Sequence, residues 1–258
     1  MRRLNGFLAI VAGTVVAMAT ADAKAIEWQT VYQTDFSTDP GWITDNPTDL
    51  HWDSATGTYH AYQLNSAGNY AYKNITGFDP TKSWKLVFDT TINSCGWSAG
   101  NDFGLFNSNL NFEIGNCATG SQGIAGQGNY TALYDFGGNA SAYDPAWSVG
   151  VWYHNILQFD ADSDQLTLNI LDRTTGDQLW NLSCQGNSTP WDMALLGVSR
   201  KWMPGHPGTS GSSACDFNLD NITLSQAVPE PSTLALLGAG AISLLGYGWR
   251  RRRGDKRR

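Results

Sequence analysis

The chain has 258 residues, enough for one full two-layer domain flanked by terminal segments. It carries 16 basic and 23 acidic residues, and between positions 26 and 231 the balance is six against 21, a net charge of −15. That excludes nucleic acid as a partner, because phosphate binding needs a basic footprint. The scarcity of helix formers beside abundant Gly, Asn, Thr and Ser suits an exported all-β domain.

The N-terminus has the layout of a secretory signal peptide. Arg2 and Arg3 precede an almost unbroken apolar run over 7–19. Ala21-Asp22-Ala23 and Ala23-Lys24-Ala25 both fit a small-x-small cleavage site. The run is short for a spanning helix, which needs ~20 apolar residues; an uncleaved anchor is the alternative. The expected organisation is a signal peptide over 1–25, an ectodomain over 26–226 and a terminal segment over 227–258.

Period-two alternation and turn residues predict strands at 30–36, 58–64, 70–74, 84–92, 103–106, 110–114, 130–136, 151–161, 165–171, 178–182, 194–199 and 216–224. In 84–92, Trp84, Leu86, Phe88 and Ile92 share one face, while Lys85, Asp89 and Thr91 take the other. Leu166, Leu168 and Ile170 oppose Thr167 and Asn169, and Val151, Tyr153, Leu157 and Phe159 line one side of a strand. Asp39-Pro40-Gly41, Ala55-Thr56-Gly57, Asp79-Pro80, Thr175-Gly176-Asp177 and Pro204-Gly205 mark turns. The glycine-rich stretch 118–129 reads as a surface loop. No helical period and no internal repeat is present, so the strands argue for an antiparallel β-sandwich.

Trp152-Tyr153-His154, running through Phe159-Asp160-Ala161-Asp162 to Leu166-Thr167-Leu168, resembles the penultimate hairpin of concanavalin A-like sandwiches of the laminin-G type. Leu219-Asp220-Asn221-Ile222-Thr223-Leu224 is similar to their closing strand. The resemblance implies a two-sheet antiparallel jelly-roll over about a third of the ectodomain's strings; a galactose-binding-like sandwich gives similar ones.

Cys95, Cys117, Cys184 and Cys215 form an even set, as expected for disulfides in an oxidising compartment. Three pairings are open, and Cys95–Cys117 with Cys184–Cys215 would close the most local loops. The absence of Cys-x-x-Cys spacing argues against zinc.

Glucanases of the concanavalin A type place paired glutamates on one strand, and retaining chemistry needs two carboxyl groups close together. Here Glu113 has no partner two or four residues on, and the other glutamates are Glu27 and Glu230. No Gly-x-Ser-x-Gly elbow occurs. The histidines His51, His60, His154 and His206 are scattered along the chain. No catalytic residue is therefore assigned.

Asp160, Asp162 and Asp164 begin like a Ca²⁺ loop, but Gln165 and Leu171 stand where Gly and Glu are required. The turn reading competes with the metal one. Laminin-G-like relatives hold Ca²⁺ at a sandwich rim, which keeps these aspartates as the candidate ligands, with Asp102 a second site by chain position. No other cofactor is expected. Trp84, Trp152 and Trp180 fall inside strands, whereas Trp42, Trp97, Trp147, Trp191 and Trp202 fall near turn residues. Of these, Trp42, Trp97, Trp147 and Trp202 are the candidates for stacking on sugar rings; plugging the ends of the sandwich is the competing role.

After residue 224 the composition changes. Val228-Pro229-Glu230-Pro231-Ser232 cannot continue a central strand, since proline lacks the amide donor. An apolar span over 233–249 follows, then Arg250-Arg251-Arg252-Arg253 and Lys256-Arg257-Arg258. The span can cross a thin bilayer, and the arginines should stay cytoplasmic. Motif, helix and arginines in this order resemble the PEP-CTERM sorting signal of Gram-negative bacteria. The resemblance implies an exosortase as partner, transient anchoring in the inner membrane, and delivery to the cell surface or extracellular matrix. The expected function is a non-catalytic, carbohydrate-binding-like module that binds polysaccharide; a purely structural matrix component and a polysaccharide-active hydrolase are the alternatives.

Overall fold

Alternating apolar and polar side chains leave one face of each strand to be covered, and the chain covers it with a second sheet. The structure is a computed structural model that describes residues 26–64, 70–95, 99–107, 112–120, 130–135, 138–143, 148–185, 193–199 and 214–228, together with Gly240 and Ile242. The strands among them are β1 (Trp28–Thr34), β2 (Ile43–Thr44), β3 (Leu50–Asp53), β4 (Thr58–Leu64), β5 (Tyr70–Asn74), β6 (Trp84–Cys95), β7 (Ala99–Phe106), β8 (Phe112–Gly120), β9 (Tyr130–Asp135), β10 (Gly138–Tyr143), β11 (Trp152–Asp160), β12 (Gln165–Asp172), β13 (Gln178–Gln185), β14 (Leu195–Ser199) and β15 (Ala214–Ala227).

They form two antiparallel sheets. One runs β13-β12-β11-β6-β15-β4-β3, with β1 also paired to β15; the other runs β10-β9-β8-β7-β14-β5-β2. Strand β15 is long enough to serve two neighbours on one edge. Its first half pairs with β4 (Asn218↔His60) and its second half with β1 (Tyr32↔Leu224). Strand β6 pairs along its other edge throughout, interrupted by register shifts at Asp216/Phe217 and Asp220/Thr223. This is the two-sheet jelly-roll expected from the sequence. Residues 28–227 form a compact unit of their own.

The core follows the predicted alternation. Trp84, Leu86, Phe88 and Ile92 of β6 are buried, as are Leu166, Leu168 and Ile170 of β12. The Phe88 and Phe103 rings meet at 4.5 Å between centroids, joining β6 of one sheet to β7 of the other. Alternation also hides an exception. Asn155 occupies the inward position between Tyr153 and Leu157 and is fully buried. Its amide donates to the carbonyls of Phe88 and Tyr153 at 3.3 and 3.2 Å, which answers the cost of burying a polar group there.

Several predicted boundaries move. β1 ends at Thr34 because Phe36 takes a left-handed backbone (φ 53°) and turns fully into the core. The predicted loop over 118–129 begins as strand, with Ala118, Thr119 and Gly120 in register with Asn101, Gly100 and Ala99. Strands β2, β3 and β10 were not foreseen, being very short or built from Gly, Asn and Ser.

The pairing Cys184–Cys215 is corrected by the strand order. Three strands lie between β13 and β15, a separation of about 19 Å at ~4.8 Å per spacing, whereas a disulfide needs Cα atoms within roughly 7 Å. Cys184 lies opposite Leu166, and Cys117 opposite Asp102 and Ala132 in the other sheet. The predicted signal peptide lies outside the described residues. So does the predicted membrane span, except for Gly240 and Ile242, which are helical. Among the described residues, no helix is long and apolar enough to cross a membrane.

Candidate functional site on the outer face of the eight-stranded sheet

The same alternation that buries Phe88 turns Asp89 to the outside of its sheet. There it is still only 3 % exposed, because side chains from three other segments close over it. His154 of β11 stands directly across from Asp89, and Asp220 of β15 stands across on the other side. His154 Nδ1 pairs with Asp89 Oδ1 at 2.6 Å. Arg173 Nε lies 3.1 Å from Asp89 Oδ2 and its Nη2 3.2 Å from Asp220 Oδ2, so one guanidinium bridges two carboxylates. Asn221 Nδ2 donates to Asp89 Oδ2 at 2.9 Å and to Asp220 Oδ2 at 3.1 Å.

Local backbone geometry sets each of these side chains. Arg173 begins the β12–β13 turn, where its amide donates to the Trp152 carbonyl at 3.1 Å and Asp172 accepts from the Thr174 and Thr175 amides. Asn221 sits in the β15 irregularity with φ 49°, a left-handed conformation that Asn tolerates better than most residues. A bulge there re-aims its side chain toward Asp89. The Arg173 guanidinium also lies over the Trp152 ring, 5.0 Å from its centroid. Burial pushes the Asp220 carboxyl above the ordinary carboxylate value, against the Asn221 amide and the Arg173 charge, which pull it down.

The arrangement offers a recognisable mix of groups at one surface. His154 and Arg173 have side chains about one-third exposed, at 37 % and 35 %. Beside them stand an indole plane and the Asp220 carboxylate. Such a set can hydrogen-bond several hydroxyls beside an indole that Arg173 covers on one face. Its formal charge, with histidine neutral, is negative, as is that of the whole ectodomain. Farther along the same face, Asp216 Oδ1 lies 2.9 Å from both His60 Nε2 and Asn93 Nδ2, and the His51 ring is 5.1 Å from that of His60. The histidines are thus less scattered than the sequence suggested, because β3, β4 and β15 are neighbours.

The sequence-derived candidates fare differently. Trp42 is corrected from surface platform to core. It is 8 % exposed, its ring packs 4.5 Å from Tyr59, and its indole N–H donates to the Tyr32 hydroxyl at 2.9 Å. Gly41 (φ 63°) turns the chain so that the ring points inward. Trp97, Trp147 and Trp202 lie outside the described residues. Asp160, Asp162 and Asp164 do not converge on a metal: among the described residues no group of three or more His, Cys, Asp or Glu does. Asp160 instead accepts from the Ser163 hydroxyl at 2.6 Å and the Asp162 amide at 3.1 Å, contacts that hold its carboxyl below the ordinary value. Gln185 closes the same turn by donating to the Ser163 and Asp164 carbonyls. Val228 donates its amide to the Glu27 carbonyl, while Pro229, Glu230, Pro231 and Arg250 to Arg253 lie outside the described residues.

Comparison with known proteins decides the terminal segment. Residues 227–253 match the model of the PEP-CTERM protein-sorting motif. The chain carries a PEP-CTERM tag. This tag implies export, exosortase processing and transient membrane anchoring before surface display. No curated protein matches this chain. Among solved structures it is similar to basic winged bean lectin with Tn-antigen, at 10 % identity and TM-score 0.56, over 79 % of this chain and 100 % of that one. It is also similar to the CBM2 module of the evolved Dit of Lactobacillus casei BL23 phage J-1, at 14 % identity and TM-score 0.54, over 80 % and 99 %. These likenesses establish the lectin-like sandwich fold. The alginate lyase Aly36B aligns at 18 % identity over 74 % and 87 %, with a TM-score of 0.45, too loose a superposition to bear on chemistry.

Proposed function

We propose that this PEP-CTERM protein is displayed on the surface, or released into the extracellular matrix, of a Gram-negative bacterium, and binds neutral polysaccharide without transforming it. The cluster of Asp89, His154, Arg173, Asp220 and Asn221 beside Trp152 carries the reading, because it gathers donors, an acceptor and an aromatic plane on one outer sheet face. Charge selects the ligand class. An ectodomain of net −15 repels polyuronates, and the Arg173 guanidinium of the site is already shared by two carboxylates.

Two facts favour a non-catalytic role. Glu113 lies on β8 of the other sheet and Glu27 precedes β1, so the two do not face each other on one strand. The Asp89 carboxylate is engaged by three donors of its own chain, which leaves it little capacity to act on a substrate. That saturation also supports the second reading, a structural matrix component in which the cluster only fastens β6, β11 and β15 together.

A glycan array spanning neutral and uronate polysaccharides tests the proposal. Binding to at least one neutral polysaccharide, weakened by Trp152→Ala, is expected. Binding confined to uronates overturns the neutral-ligand reading; no binding at all removes the glycan reading and leaves the structural one.

A further inference from the structure

The register of β6 and β15 brings together two cysteines that are 120 positions apart in the chain. Cys215 lies directly opposite Cys95. Directly opposed residues of an antiparallel pair project from the same face of the sheet. Their Cα atoms are about 4.5 or 5.5 Å apart, according to whether the pair is hydrogen-bonded, and both spacings fall inside the range that a disulfide spans. In the ladders of the described residues, Cys117 stands opposite Asp102 and Ala132, and Cys184 opposite Leu166. The neighbouring backbone is fastened as well. Between Asp216↔Ser94 and Phe217↔Ile92 the ladder skips Asn93, and Asn93 and His60 both bind the Asp216 carboxylate. The register next to the cysteines is therefore tied down by side chains on two strands.

We propose that Cys95 and Cys215 form a cross-strand disulfide after export. The two thiols lose two protons and two electrons as the S–S bond forms. The electrons pass by thiol–disulfide exchange to the disulfide of an exported oxidoreductase, which leaves as a dithiol. The bond ties the two central strands of the eight-stranded sheet at one end, while the Asp89–Asp220 cluster ties the same two strands farther along. By chain position it also fixes the roots of the segments that hold Trp97 and Trp202.

The proposal rests on the export half of the functional reading, so the test separates the two. In the first arm, full-length protein is purified reduced and oxidised with a glutathione redox buffer. Free thiols are then blocked with N-ethylmaleimide and the protein is mapped by non-reducing peptide mass spectrometry. The expected result is a joined pair of peptides holding Cys95 and Cys215, lost in Cys95→Ser, with Cys215 then becoming alkylated. Cys95 joined to Cys117, Cys215 joined to Cys184, or alkylation of both Cys95 and Cys215 overturns the pairing. In the second arm the same map is made on protein recovered from cells after blocking thiols in situ. A linked pair in the first arm with free thiols in the second leaves the geometry standing and counts against export. Reduction of the linked protein is expected to lower Tm by about 10 °C, given the long loop the bond closes; an unchanged Tm together with unlinked peptides refutes the proposal.

Discussion

Replacing Asp89 with alanine tests the account of the outer-face cluster most directly. The Asp89 side chain is 4 % exposed and holds three donors, His154 on Oδ1 and Arg173 and Asn221 on Oδ2. A hydrogen bond to a charged group contributes roughly 1.5–3 kcal/mol. Full loss of three would then cost about 5–9 kcal/mol. Two of the donors belong to side chains about one-third exposed, so they rotate toward water and recover much of that. Their recovery leaves a net cost of roughly 3 kcal/mol, equivalent to a Tm shift of about 6–12 °C for a domain of this size. Urea unfolding followed by tryptophan fluorescence reads the difference, provided the m-value is unchanged. The double variant Asp89→Ala/Arg173→Ala should be less destabilised than the sum of its parts, by about 1 kcal/mol or more. A single-variant cost below about 0.5 kcal/mol, or strict additivity, refutes the view that Asp89 organises the cluster.

Gly197→Ala should destabilise by about 3 kcal/mol or more, because a Cβ there would stand 2.1 Å from the Ala71 carbonyl oxygen and 2.8 Å from the Tyr72 Cα, both backbone atoms that cannot step aside cheaply; near-wild-type thermal unfolding would contradict the packing of β14 on β5. Trp42→Ala should cost roughly 3–5 kcal/mol in chemical denaturation, as expected of a buried indole, and a variant of wild-type stability would return Trp42 to the surface. Asp220 gives the pH prediction. Its carboxyl sits above the ordinary 3.8 chiefly through burial, so the folded state holds the proton more tightly than the unfolded state. That contribution is present below pH ~4 and is lost as pH rises through the raised value. The stability of Asp220→Asn relative to wild type should therefore increase from pH 3 to pH 7 in paired urea titrations; a decrease over that range defeats the assignment.

How far the sequence speaks depends on whether a feature is local. Alternation placed Trp84, Leu86 and Phe88 inside and Asp89 outside without any knowledge of partners, and the β11–β12 hairpin was readable because strand, turn and strand are contiguous. Trp42 was misplaced because nearby turn residues indicate a loop, while nothing local reveals that the ring folds back under Tyr59 and Phe36. The candidate site was out of reach for a related reason. Asp89, His154, Arg173 and Asp220 belong to β6, β11, the β12–β13 turn and β15, and only the strand order makes them neighbours. The cysteines show the same limit. Loop length favoured local pairs, whereas register sets positions 95 and 215 opposite each other. The one signal that was available is the closing string Asp220-Asn221, an acidic and an amide residue interrupting a strand that otherwise alternates.

Long-range assembly of this kind also bears on how the domain is delivered. Strand β15 is the last element before the PEP-CTERM tag, yet it lies between β6 on one edge and β4 and β1 on the other. The eight-stranded sheet therefore cannot close until the final strand has been added, and the acidic cluster and the Cys95–Cys215 register come into being at that same step. Pairings between distant parts of a chain form slowly, because loop closure precedes the contacts that stabilise it. A chain severed after residue 227 before β15 had inserted would leave a sandwich with an open central seam.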